Sequence, residues 1–217
     1  MQVEKPEIRF VDQRGQGRAF VIIRESGSDH SAAHEAFNAI SEQAKVFLVE
    51  CSLVTDDNWQ ILTSLLLEGL RNQSLRQASF LGFGPACSLI QNLALRELKL
   101  VRTLIFVDAL TRPHPGRLTR FLDRIESWLP LGLPLRSDFM GFDSKPFLQR
   151  LRCPCLVVTS FHAGELHRVG AQRMLQMLPT AWGTELSAGQ ESEAKQLARL
   201  VLEFYAIPAR CPQKSAA

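Results

Sequence analysis

The sequence holds five histidines and five cysteines, and their spacing decides how much chemistry they can support. His30 and His34 stand four apart, which brings two imidazoles to one face of a helix as metal ligands require. No acidic side chain or third histidine completes a ligand set, so no metal is expected and both read as solvent-facing residues at a helix start. His114 and His167 suggest nothing further. Cys153-Pro154-Cys155 places two thiols one residue apart, whereas metal and redox pairs use two intervening residues and usually a second pair. On a strand these two would face one side without bridging easily, so packing is their expected role. Cys51, Cys87 and Cys211 complete an odd, irregular set, which argues against a disulfide framework. Arg14-Gly15-Gln16-Gly17-Arg18 has the glycines and cations of a phosphate loop. No strand-then-helix order follows it, and it reads as a hairpin turn.

These residues need elements to hold them. A chain of 217 residues with 46% hydrophobic content can bury a core, and a single domain over 1–217 is expected. The 25 basic and 22 acidic residues are scattered, giving a net charge of only +3, which argues against a nucleic-acid partner. No run approaches the roughly 18 apolar residues that span a bilayer, and the first residues lack a signal-peptide pattern. The expected location is cytoplasmic.

Strand-like and helix-like runs alternate, which implies a mostly parallel sheet with helices on both faces. Segments 7–12 and 18–24 read as the opening hairpin. Ala33, Phe37 and Ile40 lie at helical spacing within 31–43, followed by a strand at 45–49. Thr55-Asp56-Asp57 signals a helix carrying Trp59, Leu62, Leu65, Leu66 and Leu70. Strands are expected at 77–82, 102–108, 155–160 and 184–187, and helices at 85–98, 168–178 and 191–205. A less regular section occupies 111–152, and the tail 209–217 is expected to be disordered.

The segment that bears most on function is Ala78-Ser79-Phe80-Leu81-Gly82-Phe83-Gly84-Pro85-Ala86-Cys87, a buried strand running through a small-residue turn into a helix. It resembles the nucleophile elbow of the α/β-hydrolase family, Gly-x-Ser-x-Gly, with Gly84 at the position of the reactive serine. The resemblance extends in order over 18–206 and implies the α/β-hydrolase fold with a small helical cap at 111–152. Glycine offers no nucleophile. Pro85 follows it where the family donates a backbone N–H to the oxyanion, and proline has none. The family's acid position, after the strand that follows the cap, reads Ala163. Its histidine position, in a Gly-His pair before the last helix, reads Gln190 in Gly189-Gln190. The resemblance therefore implies a scaffold without its hydrolytic machinery: a pseudoenzyme that serves as a protein-interaction or accessory subunit and carries no cofactor.

Two alternatives stay open. A small apolar molecule could occupy the degenerate pocket, with Ser26, Phe83, Gly84, Phe161 and Trp128 as lining candidates. An unconventional, non-covalent enzyme could use Asp108 and His162, since some families of this fold carry the acid after the preceding strand. The cap section holds an apolar stripe of Leu118, Phe121, Leu122, Ile125, Trp128 and Leu129 opposite Arg120, Asp123, Arg124 and Glu126. That stripe is either cover for the core or the surface that meets a partner.

Overall fold

The computed structural model describes residues 5–27, 31–55, 58–109, 145–188 and 191–206. Seven strands form one sheet: β1 (Ile8–Arg14), β2 (Ala19–Glu25), β3 (Lys45–Cys51), β4 (Ala78–Phe83), β5 (Val101–Val107), β6 (Cys155–Thr159) and β7 (Ala181–Glu185). Their order is β1-β3-β2-β4-β5-β6-β7. Every neighbouring pair is parallel except β1 with β3. The helices are α1 (Ser31–Ser41), α2 (Trp59–Asn72), α3 (Ala86–Arg96), α4 (Glu165–Met177) and α5 (Glu193–Ala206).

Burial explains the arrangement. Phe20 to Ile23 and Val46 to Val49 are wholly buried, because strands in the middle of a parallel sheet are covered on both faces. Val21, Ile23, Phe47 and Phe80 point to one face, where Leu62, Leu66 and Leu70 of α2, Leu89 and Leu93 of α3 and Met174 of α4 pack. Phe20, Ile22, Leu48 and Leu81 point to the other, against Phe37 and Ile40 of α1 and Leu197 and Val201 of α5. The i, i+4 spacing of leucines in α2 and of Leu197 and Val201 in α5 supplies each helix with its buried stripe.

The expected hairpin between 7–12 and 18–24 is not formed. β1 pairs antiparallel with β3, which lies between it and β2. The buried apolar run Phe20 to Ile23 of β2 needs a neighbour on each side, and β3 and β4 fill those places. β1 alternates half-buried and exposed residues, as suits an edge strand. β7 occupies Ala181–Glu185, three residues earlier than the 184–187 expectation, and α4 starts at Glu165 instead of 168. The end of the cap section belongs to the core: Leu148, in a short 3-10 helix, and Leu151 are fully buried. The rest of the cap, including Leu118, Phe121, Leu122, Ile125 and Trp128, lies outside the described residues, as do His30, Gln190, Cys211 and the tail 209–217. Among the described residues no helix is long and apolar enough to cross a membrane.

Candidate functional site

The chain runs one way across the sheet from β2 to β3 and the other way from β2 to β4. Ligands of open α/β sheets bind beyond the carboxyl ends of the strands at such a reversal. Gly84 closes β4 at that place. Its φ is +51°, in the left-handed region that glycine enters most easily. Its N–H donates to the Val107 carbonyl at 2.8 Å, and its own carbonyl accepts from Cys87 N at 3.1 Å as α3 begins. Pro85, with φ −63° and ψ −25°, leads into the helix, and its carbonyl accepts from Ser88 N and Oγ. Gly82 permits the tight approach of strand and helix: a Cβ there would lie 3.2 Å from Cys87 Cα and 3.0 Å from Ile90 Cδ1. At Gly84 the opposite holds, since among the described residues a Cβ would meet nothing within 4 Å. The turn has the backbone and the open space for a projecting side chain and carries none. Cys87, the second residue of α3, is fully buried, and burial pushes its thiol far up, so it offers no nucleophile to the turn.

β5 ends next door on Asp108, which also has φ +51°. Its N–H donates to the Val158 carbonyl at 3.0 Å. Its Oδ1 accepts from Ser160 N at 2.8 Å and its Oδ2 from Ser160 Oγ at 2.7 Å. Both carboxylate oxygens thus tie the end of β5 to the loop after β6. His162 is exposed, its ring edge-on to Phe161 with centroids 5.1 Å apart. Among the described residues no hydrogen bond joins His162 to Asp108. Ala163 is half-buried, and its N–H donates to the Ser160 carbonyl at 3.1 Å. The same loop is held from outside, where Phe161 N donates to Glu193 Oε1 at 2.6 Å and Arg168 Nη2 to the Phe161 carbonyl at 3.2 Å.

The end of β2 adds charge that the sequence reading passed over. Arg24 is only 4% exposed and donates from Nη2 to Glu50 Oε1 of β3 at 2.6 Å. Among the described residues its Nε and Nη1 are buried without a partner. A charged residue closing the apolar run Phe20 to Ile23 was the available signal; its pairing with Glu50 depended on the β2–β3 register, where the two stand opposite. Next to it, Glu25 accepts from Val54 N at 2.8 Å, and burial pushes its carboxyl up against the pull of that bond. Ser26 lines a cavity of about 310 Å³ at the carboxyl ends of β2 and β3, together with Gly27, Glu50, Lys5 and Arg9. Phe83, Gly84 and Phe161 are not among its lining residues. Phe83 is half-buried against the α1–α5 side of the core, and Phe161 is 44% exposed. The structure therefore divides the pocket candidates between the β2–β3 cavity and the elbow. Among the described residues, no three His, Cys, Asp or Glu side chains gather as metal ligands would.

Solved structures place this architecture. The chain aligns with an enol-lactonase from Burkholderia xenovorans LB400 at TM-score 0.68 and 16% identity, over 94% of this chain and 98% of that one. It aligns with an α/β hydrolase from Sphaerobacter thermophilus DSM 20745 at TM-score 0.67 and 13% identity, over 94% and 98%. A bromoperoxidase from Bacillus anthracis follows at TM-score 0.66 and 12% identity, over 92% and 95%. The fold is the α/β-hydrolase fold. No family model matches the sequence, and no curated protein is significantly similar to it. Likeness at this level of identity defines the fold, and activity has to be argued from the site's own residues.

Proposed function

We propose that this chain is a non-hydrolytic protein of the α/β-hydrolase fold that acts by binding, with a small molecule seated on the elbow. The observation that carries this reading is Gly84, left-handed and with open space above it but no atom able to attack a substrate. Pro85 supports it independently, because it has no N–H to offer an oxyanion, and losing one such donor costs about 2.7–4 kcal/mol of transition-state stabilisation. Ala163 and Gln190, at the positions that the resemblance gives to the acid and the base, point the same way.

Binding is favoured by what surrounds the turn. Phe83 ends β4 beside the place where the strand order reverses, and Phe161, in the loop after β6, adds exposed apolar surface. The non-covalent enzyme reading has less support, because Ser160 engages both oxygens of Asp108 and His162 faces solvent. An accessory subunit that docks a protein through the stripe from Leu118 to Leu129 is the second reading, favoured by the amphipathic pattern of that segment in the sequence.

Turnover of activated esters by the native chain and by Gly84→Ser tests the proposal. Both should stay at buffer background, since a lone hydroxyl lacks a base and an oxyanion donor and catalytic groups contribute little singly. Hydrolysis by the native chain, or efficient hydrolysis by Gly84→Ser, would overturn it. Native mass spectrometry of the chain purified from its own source separates the two binding readings: a retained small molecule supports the elbow, and a retained protein supports the stripe.

A further inference from the structure

Charge that is scattered along the sequence is sorted in space by the parallel sheet. β2 to β7 all start at one end of the molecule, and the antiparallel β1 finishes there. Arg18 precedes β2, Lys45 opens β3, Arg76 precedes β4, Lys99 and Arg102 flank the start of β5, and Arg152 precedes β6. Arg14 closes β1 at the same end. The connecting helices run against the strands, so α2 and α3 bring Arg71 and Arg96 of their last turns to it as well. Against these cations stand Asp12, Glu42, Glu97 and Glu203, of which Asp12 pairs with Arg14 and Glu97 with Arg71.

The far end of the sheet differs. Carboxylates gather where strands finish, with Glu25 closing β2, Glu50 next to last in β3, Asp108 after β5 and Glu185 closing β7. Ion pairs with Arg24 and Arg168 balance Glu50 and Glu185. Cations are therefore in excess only where the parallel strands start. Helix dipoles account for Arg71 and Arg96, because the last turn of a helix favours a cation. They do not account for Arg18, Arg76 and Arg152, which lie in connections, exposed and without an ion pair among the described residues.

We propose that this end of the sheet is a docking face for an anionic lipid bilayer. Its cations would meet the headgroup charges, and exposed apolar side chains among them would enter the interface. Leu98, 54% exposed, lies beside Lys99 in the short 3-10 helix Leu98–Leu100. Trp182, 51% exposed, stands second in the edge strand β7, its ring edge-on to Phe204 with centroids 5.7 Å apart. Where α4 ends and β7 begins, an open cavity of about 430 Å³ is lined by Arg152, Gln149, Met177 and Thr180, a cation beside apolar surface. A bilayer interface takes both kinds of side chain, with tryptophan at headgroup depth, whereas the phosphates of a nucleic acid offer Leu98 nothing. The face also suits a flat partner, because seven strands at sheet spacing spread the cations over about 30 Å. Gly84 and Asp108 lie at the opposite ends of their strands, so a docked chain keeps the elbow on the aqueous side.

The test is flotation of the native full-length chain with vesicles of phosphatidylcholine, alone or with about one-third phosphatidylserine. The chain should float with the anionic vesicles and stay behind with phosphatidylcholine, and raising salt from about 0.05 to 0.5 M should release it. Brominated acyl chains in the anionic vesicles should quench its tryptophan fluorescence, and Trp182→Phe should lose most of that quenching. Arg76→Glu combined with Arg152→Glu should weaken binding at least about 25-fold, since each cation near an anionic surface contributes about fivefold. Lys5→Glu combined with Lys195→Glu makes the same change in net charge at the far end, beyond a Debye length, and should weaken it less than about threefold. Failure to bind anionic vesicles, equal binding to phosphatidylcholine, or equal losses in the two paired variants would overturn the proposal. So would tighter binding to a single-stranded DNA oligonucleotide than to the vesicles. Self-association without lipid that the Arg76, Arg152 variant abolishes would assign the face to a second copy and overturn it too. Should that variant fail to fold, the salt and quenching results on the native chain decide the matter.

Discussion

Two neighbouring strand ends make the same backbone move and use it in opposite ways. Gly84 after β4 and Asp108 after β5 both sit at φ +51°, and the Gly84 N–H bonds to the Val107 carbonyl, so the turns lie side by side. The first has room for a side chain and has none. The second has a carboxylate and commits both of its oxygens to Ser160. A reactive turn needs space and a free functional group together, and here each turn has one of the two. The shared geometry belongs to the fold, while chemistry depends on what projects from it.

Substitutions at the two turns should therefore differ in kind. Asp108→Ala removes the acceptor for both Ser160 bonds and places alanine at positive φ. It should lower stability by about 2–3 kcal/mol in urea denaturation. Asp108→Asn, which tolerates the left-handed region and keeps one acceptor, should lose less than half of that. A smaller loss for Asp108→Ala than for Asp108→Asn would refute the structural role given to the carboxylate. Gly84→Ala meets no neighbouring atom and should lose only the backbone term, about 1–2 kcal/mol. A much larger loss would mean that the space above the turn is occupied.

Glu25 sharpens the comparison through pH. A carboxyl raised in the folded state stabilises the fold below its unfolded pKa, and that contribution is lost as pH rises through the folded value. Since burial raises Glu25, Glu25→Gln should gain stability relative to the native chain between acid and neutral pH. A constant difference across that range would show that the carboxyl is not perturbed. The smallest effect belongs to His162→Ala, which should change stability by less than about 0.5 kcal/mol because the ring is exposed.

The fold was legible where local pattern and tertiary environment agree. The apolar runs Phe20 to Ile23 and Ala78 to Gly82 mark central strands, and Leu62, Leu66 and Leu70 mark a buried helical face. The pairing of β1 was not legible, because a glycine turn between adjacent strands fits a hairpin and a strand that passes over to β3 equally well. β7 was misplaced because its residues are half-buried or exposed and show no clean alternation. At the site, Gly84 and Pro85 could be read directly, since their effect follows from residue type at a turn. The Asp108–Ser160 and Arg24–Glu50 bonds join residues 52 and 26 positions apart, and only the strand order brings them together.

Intact-mass analysis after incubation with a fluorophosphonate tests the central claim most directly. The reagent bonds covalently to an activated serine and needs no knowledge of the natural substrate. The mass should stay unshifted, with no modified peptide from Phe83 to Ser88 or from Ser160 to Ala163. A stoichiometric adduct on either segment would establish an activated nucleophile at the elbow or in the loop after β6 and contradict the non-hydrolytic reading.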